Sequence, residues 1–412
     1  MAHPTQPAAG IVTPAIEAMM LLDQDERLRG RPRFCSDCGL CNSQAYHQLM
    51  AQTCVFVANQ VEALELQIHG RNRTVGDEQI FGVFETMQAA RMRQPAPGAQ
   101  WSGIITMIAI RLLERGMVDG VVVTGRVPGT QFAPLPFLAR TPDEVRSAAG
   151  SKPCISPNLT VLDQVRATGM KRLAYVGTGC QVHALRAATA ELGLEELYVI
   201  GIPCTDNTTY PGLQRFLQAT SRSPNTVVHV EFMQDYRLWL RHRDGHTEKL
   251  NYVDITLDNT DGIFPAACMA CFDYANTLAD ITVGYIGAPL DWQWVLVRNA
   301  RGQQLFDLVG TDMEFTPLTD GGDRRPSMRS YAKMMGAPKR RPPAIMRKFI
   351  AYMQRSRGPK GLEFARSAIE MKLIRNIHYI RTNAPKQEKR LVPYHVYPVL
   401  EPYAEALPKQ VV

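Results

Sequence analysis

The chain has 412 residues, of which 45% are hydrophobic and 21% charged, and this composition is ordinary for a globular protein of two or three domains. Its apolar runs are far shorter than the ~18 residues of a membrane span. The N-terminus has the features of neither a secretory signal nor a transit peptide, so we expect a cytoplasmic protein whose nine cysteines stay reduced.

Residues 1–94 are predicted to form an N-terminal segment. Its lead-in, 1–33, is loose or lightly helical, and a cysteine-rich stretch follows. The stretch 71–94, RNRTVGDEQIFGVFETMQAARMRQ, predicts a loop followed by a helix. PAPG at 95–98 would interrupt regular secondary structure and separates this segment from the next domain.

The second predicted domain, 95–220, alternates helices with apolar strands. Ser102 is the expected N-cap of its first helix, which stops at Gly116. Strands are predicted at 118–125, 171–179 and 196–203, with helices at 159–169 and 181–193 between them. This order predicts βαβ units and a parallel sheet that is covered on both faces.

The third predicted domain, 221–319, is an antiparallel β section. Two strands joined by the hairpin turn RDGH open it, and further strands are expected at 279–287 and 292–299. We therefore predict an α/β fold: a parallel sheet with flanking helices, an antiparallel α+β section and an N-terminal segment that holds an iron–sulfur cluster.

The last predicted domain, 320–412, is a basic linker followed by C-terminal helices. The net charge of the chain is +7, yet residues 339–390 alone carry 15 Lys and Arg against three Asp and Glu. A basic segment is either a partner-binding surface or the solvated face of a helix. One helix carries Ile345, Phe349, Ile350 and Met353 on a single face. We expect this face to pack against the body of the protein or against a neighbouring subunit, with peripheral contact to an anionic membrane as the alternative.

Four cysteines lie close together near the N-terminus. Cys35, Cys38 and Cys41 follow a C-x-x-C-x-x-C spacing, and Cys54 comes shortly after. Three cysteines separated from one another by two residues can bind three corners of a 4Fe–4S cluster, and a fourth cysteine from elsewhere in the chain completes the site. Gly39 would allow the tight turn between them. Zinc is the alternative, but a third cysteine in phase favours the cluster.

Four other cysteines also form a set. Cys180 and Cys204 each follow a predicted parallel strand, so they would meet at one edge of the sheet. Cys268 and Cys271 supply a C-x-x-C that could close over the same object, and the four together predict a second 4Fe–4S cluster. Cys154 is assigned no metal role, since a lone cysteine is usually a small buried hydrophobe.

A phosphate site is predicted at the start of the first helix of the second domain. The stretch GAQWSGIIT would offer free backbone amides and hydroxyl groups to an anion, and its tryptophan could stack on a ring system. The residues concerned are Trp101, Ser102, Gly103 and Thr106. An ordinary capped helix with a core tryptophan is the alternative.

Taken together, these motifs resemble a known family. CSDCGLC, GAQWSGIIT, SPNL, GTGCQVHALR, CTDN, EFMQDY, CMACFDYANTLADITVGYIG and VRNARG occur in the same order in ferredoxin-dependent 3,8-divinyl (proto)chlorophyllide 8-vinyl reductases. The chain is also similar to 7-hydroxymethyl chlorophyll a reductase and to the β subunit of deazaflavin-reducing hydrogenase. The resemblance covers about 34–310, with a further match in the tail.

The resemblance implies FAD and two 4Fe–4S clusters, and the eight grouped cysteines fall on cysteine positions of the family. It adds Ser156, Asn158, Gly177 and Thr178 to the expected cofactor-binding residues. Reduced ferredoxin would supply single electrons, and the flavin would pass a hydride to the 8-vinyl group of divinyl (proto)chlorophyllide. The chain could form a homo-oligomer, and we expect no nucleic-acid partner.

Three other functions stay open. One is a 7-hydroxymethyl chlorophyll a reductase, the second is an electron-transfer β subunit of a hydrogenase or dehydrogenase complex, and the third is a zinc-stabilised binding protein. The proton donor is unknown. Weak candidates near the site-forming segments are Asp206, Tyr210, His183 and Asp235, each with a surface or core role as the alternative.

Overall fold

The computed structural model of the protein describes residues 14–255, 262–336 and 341–408. The predicted lead-in and linker therefore lie partly outside the described residues. The helices are Pro14–Met20 (α1), Gln24–Arg27 (α2), Met50–Thr53 (α3), Val61–His69 (α4), Asp77–Phe81 (α5), Ile104–Glu114 (α6), Pro142–Ser147 (α7), Leu162–Ala167 (α8), Gly179–Ala187 (α9), Thr189–Leu192 (α10), Tyr210–Thr220 (α11), Ala300–Asp307 (α12), Arg325–Met334 (α13), Ala344–Arg357 (α14), Leu362–Asn383 (α15), Glu388–Leu391 (α16) and Val396–Leu400 (α17).

Within the described ranges, the strands form three sheets. They are Thr86–Met92 (β1), Gly120–Arg126 (β2), Pro134–Ala139 (β3), Arg172–Thr178 (β4), Glu196–Ile202 (β5), Val227–Met233 (β6), Arg237–His242 (β7), Thr247–Asn251 (β8), Ile281–Gly284 (β9), Gln293–Val297 (β10), Met313–Thr316 (β11), Asp320–Gly321 (β12) and Lys360–Gly361 (β13). The central sheet has eight strands in the order β11-β1-β10-β9-β5-β4-β2-β3, β6–β8 form a second sheet, and β12 pairs with β13.

The middle of the central sheet is parallel. β2 pairs with β4, β4 with β5, and β5 with β9 in the same direction, whereas the outer strands β3, β10, β1 and β11 are antiparallel. The separate sheet β6-β7-β8 is fully antiparallel. These observations confirm the predicted α/β class, with a large sheet containing parallel strands plus antiparallel sheets.

The strands β9 and β10 belong to the central sheet, although they were predicted as part of the antiparallel section. Every residue of β9 and β10 is buried, which is typical of strands that are covered on both faces. β9 consequently lies beside β5, at the edge where the cysteine loops emerge. The division of the chain into four domains stays a prediction.

The predicted helix within 71–94 is wrong. Only α5 is helical there, and β1 lies between β10 and β11 in the central sheet. Ala89 and Ala90 are fully buried in this strand. Pairing on both sides of β1 outweighs the helical preference of its alanines, because strand formation depends on the surrounding sheet.

The C-terminal helices differ from one another in burial. α15 spans 22 residues, and Phe364, Ile369, Leu373 and Ile377 join it to the largest hydrophobic core. α14 has mostly exposed side chains, and Ala351 is its buried residue. Within the described residues, no helix is long and apolar enough to cross a membrane.

Arg298 ties the central sheet to the loops around it. Its guanidinium is completely buried and donates hydrogen bonds to the carbonyl oxygens of Phe81, Val83 and Ala275 and to the hydroxyl of Thr282. A single side chain therefore satisfies polar groups from three segments, and those groups have been removed from water.

We predict that Arg298→Met lowers the free energy of unfolding by about 3 kcal/mol, because it leaves buried carbonyl groups unsatisfied. Arg301→Met is the matched control, since the Arg301 side chain is 50% exposed and its loss should cost less than about 0.5 kcal/mol. Thermal and urea unfolding would compare the two variants. Equal losses would contradict a special role for the buried guanidinium.

Candidate functional site

The first cysteine set lines one cavity. Cys35, Cys38, Cys41 and Cys54 surround a space of about 270 Å³. Gly39 lies between them with φ 101°, and a Cβ atom there would come within 2.4 Å of the Pro157 carbonyl oxygen. Glycine is therefore required for the turn and for the close approach of the loop at 156–160.

The second cysteine set gathers at the carboxyl edge of the parallel strands. Cys180 lies in the first turn of α9 directly after β4, and Cys204 follows β5. The backbone amide of Cys204 donates to the carbonyl oxygen of Tyr274, 2.9 Å away, so the chain after Cys268 and Cys271 lies beside the end of β5. The expected meeting of three segments at this edge is what the structure shows.

The thiols are held in surroundings that disfavour negative charge. Burial raises the pKa of Cys35 to about 11 and that of Cys268 to about 12. It also raises the pKa of Cys204, which the neighbouring thiolates of Cys268, Cys180 and Cys271 raise further. Thiolates grouped in this way need a compensating cation, and bound iron would provide one.

Cys180 is close to both sets. Its charge acts on Cys38 and Cys54 of the first set and on Cys204, Cys268 and Cys271 of the second. Among the described residues, no three His, Cys, Asp or Glu side chains form a ready-made site for a metal ion. The ligand roles of the eight cysteines, and their division into two groups of four, stay predictions.

Two asparagines that sequence reasoning missed hold the second set in place. Asn276, with φ 57°, is fully buried and donates to the carbonyl oxygens of Gly177 and Ile202 at the ends of β4 and β5. Asn376 on α15 donates to the carbonyl oxygens of Cys268 and Cys271. The sequence did contain a signal for Asn276. Asparagine tolerates a positive φ, so an asparagine five residues after the C-x-x-C could have been expected at a turn of this loop.

The predicted phosphate site is only partly as expected. Gly103, with φ 79°, occupies the N-cap position of α6 and no side chain caps the helix. Ser102 is therefore not the N-cap, because its hydroxyl donates to Gln293 Oε1 at 2.9 Å. Thr106 lies in the first turn of α6 and is partly buried. Trp101 stacks against Tyr285 with ring centroids 5.2 Å apart.

The other expected cofactor-binding residues surround the cysteine loops. Thr178 caps α9, and its hydroxyl lies 3.7 Å from Cys180 Sγ. Asn158 donates to the Thr124 hydroxyl, the Ser156 carbonyl accepts from Gln181, and the Gly177 carbonyl accepts from Asn276. These contacts position the loops, so a direct contact of these residues with a flavin stays a prediction.

A cluster of basic residues beside Trp101 that could form a cationic pocket was not predicted. Burial lowers the pKa of His229 to about 4, and the charges of Arg241, Arg126 and Lys152 act in the same direction. Burial and then Arg126 lower the pKa of Lys152 to about 7, and its Nζ donates to two backbone carbonyl oxygens. The Arg241 guanidinium lies 5.2 Å above the Trp101 ring.

This pocket fits an anionic ligand that carries an aromatic ring. The buried atoms Trp101 Nε1, Ser156 Oγ and His229 Nδ1 have no hydrogen-bond partner within the described part of the chain. Arg241 pairs with the buried Glu231 carboxylate, whereas the repulsion between Arg126 and Lys152 favours a bound anion. The Trp101 and Tyr285 rings could stack on a planar group. Arg126, Lys152 and Arg241 come from distant stretches of sequence, so no local motif revealed them.

The four catalytic candidates are engaged in structural contacts. Asp206 pairs with Arg375 and Lys372, and Asp235 pairs with Arg237. His183 is bonded to the backbone of Thr53 and Gln60, and burial lowers its pKa to about 4. The Tyr210 hydroxyl contacts the backbone of Gln131. The proton donor therefore stays unassigned, and Cys154 lies buried in a hydrophobic cluster.

Comparison with known proteins gives consistent matches along the chain. The C-terminal family of the "Coenzyme F420 hydrogenase/dehydrogenase, beta subunit" matches residues 170–320, and the corresponding N-terminal family matches 87–163. A Nostoc protein of uncharacterized function is 43% identical over 371 residues, which is 89% of this chain and 92% of that protein.

Two further matches have assigned functions. The 7-hydroxymethyl chlorophyll a reductase of rice, Oryza sativa, is 42% identical over 90% of this chain and 82% of its own length. A chain of the xenon-derivatised F420-reducing [NiFe] hydrogenase complex from Methanosarcina barkeri has the same fold, with a TM-score of 0.53 and 23% identity. That match covers 69% of this chain and 93% of the other.

We predict that Asn276→Ala lowers the bound iron of the purified protein by about half, because the C-x-x-C loop loses its anchor to β4 and β5 while the first cysteine set is left intact. Iron analysis and circular dichroism would be measured together. Asn72→Ala, at an exposed position, is the control and should retain all the iron. Full iron retention by Asn276→Ala would contradict the anchoring role.

Proposed function

The chain belongs to the coenzyme F420 hydrogenase/dehydrogenase β-subunit family, and we propose that it is an iron–sulfur flavoprotein that reduces the 8-vinyl group of divinyl (proto)chlorophyllide. Reduced ferredoxin is the proposed electron donor. The observation that carries the proposal is the convergence of eight cysteines beside an aromatic and cationic pocket at one edge of the sheet.

The chain's own residues would divide the task as follows. The eight cysteines would hold two 4Fe–4S clusters, and Arg126, Lys152 and Arg241 would bind the phosphates of FAD. Trp101 and Tyr285 would orient the flavin ring and exclude water from it. Bound clusters supply single-electron transfer, and bound FAD supplies the change from single electrons to a hydride.

Ferredoxin docking is proposed at the mouth of the first cysteine cavity. Cys41 is exposed there, and Arg31, Arg33 and Arg390 line the same cavity. Ferredoxins of this kind are acidic, so a basic rim would steer the donor towards the cysteines. Arg390 comes from the basic C-terminal stretch, which links the charge pattern of the sequence to this surface.

A second candidate function is 7-hydroxymethyl chlorophyll a reduction, which the 42% identity to the rice enzyme favours. The proposed cofactors and electron donor would be the same, and only the substrate group would differ. An electron-transfer subunit of a larger complex is supported by the fold shared with the hydrogenase chain.

The deciding experiment supplies reduced ferredoxin to the anaerobic protein with either divinyl chlorophyllide or 7-hydroxymethyl chlorophyll a. We expect the 8-ethyl product from the first pigment and no conversion of the second, with both followed by chromatography and mass spectrometry. Conversion of only the second pigment would establish the alternative function. No conversion of either, in protein with full cofactor content, would favour an electron-transfer subunit.

Peripheral membrane contact is proposed for α14. Arg347 pairs with Asp254 and Arg355 donates to Asn251, so these two arginines face the protein. Ile345 and Phe349 are 85% and 62% exposed, so these two side chains do not pack against the body of the chain, and their packing against a neighbouring subunit stays a prediction. The helix sequence AIMRKFIAYMQRSR has no acidic residue, which suits a surface of anionic lipids.

We predict that the double variant Ile345→Ser/Phe349→Ser loses binding to vesicles of mixed neutral and anionic lipids, because it removes the apolar anchor. Sedimentation with the vesicles would measure binding. Val75→Ser, at an exposed apolar position, is the control and should bind like the unchanged protein. Unchanged binding of the double variant, or no binding of the wild type, would refute the contact.

A further inference from the structure

One face of α15 carries three polar side chains that reach the second cysteine set. Lys372, Arg375 and Asn376 occupy positions i, i+3 and i+4, which share a helix face. Asn376 donates to the backbone of Cys268 and Cys271. The other two side chains contact the short loop that follows Cys204. α15 thus contributes charge as well as packing to this site.

Lys372 is a buried cation. Its side chain is 1% exposed, and its Nζ lies 3.4 Å from Asp206 Oδ1. The same ammonium group donates a hydrogen bond to the carbonyl oxygen of Thr205. A lysine is almost never buried so completely without a partner, and here its partners lie one and two residues after Cys204.

Lys372 shares its carboxylate partner with a second cation. Arg375 donates two hydrogen bonds of 2.9 Å to the carboxylate of Asp206. Two cations thus share one carboxylate. The charge of Lys372 acts on Cys204, Cys268 and Cys271, where it opposes the effect of burial and favours the thiolate, whereas the Asp206 carboxylate acts in the opposite sense on Cys268 and Asp273 does so on Cys271.

We propose that Lys372 is a positioning residue that raises the reduction potential of the cluster bound by the second cysteine set. The inference rests on the proposed function, since it requires that cluster. One-electron reduction by ferredoxin adds one negative charge to the cluster, and no bond forms or breaks. A nearby buried cation stabilises the reduced form more than the oxidised form, because water does not screen their attraction.

This arrangement would give electron transfer a direction. Among the residues that the structure describes, no comparable buried lysine lines the cavity of the first set, and its basic residues there are the arginines of the rim. Electrons that enter at Cys41 would therefore be drawn towards the second set and the pocket beside Trp101. Asp206, expected as a weak catalytic candidate, would act instead by holding the ammonium group in place.

The test is a redox titration of the anaerobic holoprotein, monitored by electron paramagnetic resonance. Lys372→Met keeps the length of the side chain and removes its charge. We expect unchanged iron content and one cluster signal at a lower midpoint, with at least a tenfold loss in the equilibrium constant for reduction, or about 59 mV for one electron. Lys372→Arg, which keeps the charge, should restore most of the wild-type midpoint.

Lys386→Met is the matched control, because Lys386 is exposed, and both midpoints should stay unchanged. Unchanged midpoints in an iron-replete Lys372→Met protein, or equal shifts of both signals, would overturn the proposal. If Lys372→Met loses iron, Asp206→Asn is compared instead. It removes the counter-charge, so the same midpoint must rise, and the absence of a rise would also overturn the proposal. A wild-type protein without iron would refute the proposed function before any variant is compared.

Discussion

The geometry of the site depends on the contact between Asn276 and the ends of β4 and β5. Its amide group bridges the carbonyl oxygens of Gly177 and Ile202, just before the two strands release Cys180 and Cys204. The same residue terminates the segment that carries Cys268 and Cys271. One buried side chain therefore fixes three cysteine-bearing segments relative to one another, and a rigid arrangement of this kind is what a cluster or a flavin requires of its surroundings.

The second constraint is electrostatic. Seven of the eight grouped cysteines are partly buried and Cys41 is exposed, and the pKa values of several are raised by burial. The protein supplies positive charge around them in two forms. Arginines at the rim of the first cavity are hydrated and suit a docking surface, whereas Lys372 is buried and acts at short range. The cationic pocket around Lys152 lies beside Trp101, and an anionic cofactor bound there would balance its charge.

The central parallel strands and the meeting of the cysteines that follow them could be predicted from the sequence. β2, β4 and β5 are continuous apolar runs, and the cysteines that follow β4 and β5 had to meet because parallel strands end at the same edge. The strand β1 could not be identified, because its alanine-rich stretch becomes a strand only when β10 and β11 pair with it. The inward orientation of Arg347 and Arg355 in α14 could not be predicted either, since their partners Asp254 and Asn251 lie about a hundred residues earlier. Lys372 and the cationic pocket depend likewise on contacts between distant segments.

The central claim is that the gathered cysteines hold two iron–sulfur clusters next to a flavin. It is tested most directly by iron, sulfide and flavin analysis of the anaerobically purified protein, combined with Mössbauer spectroscopy. The account predicts about eight irons in 4Fe–4S form and about one FAD for each chain. A colourless protein that contains zinc, or one with about four irons and no flavin after full reconstitution, would contradict it.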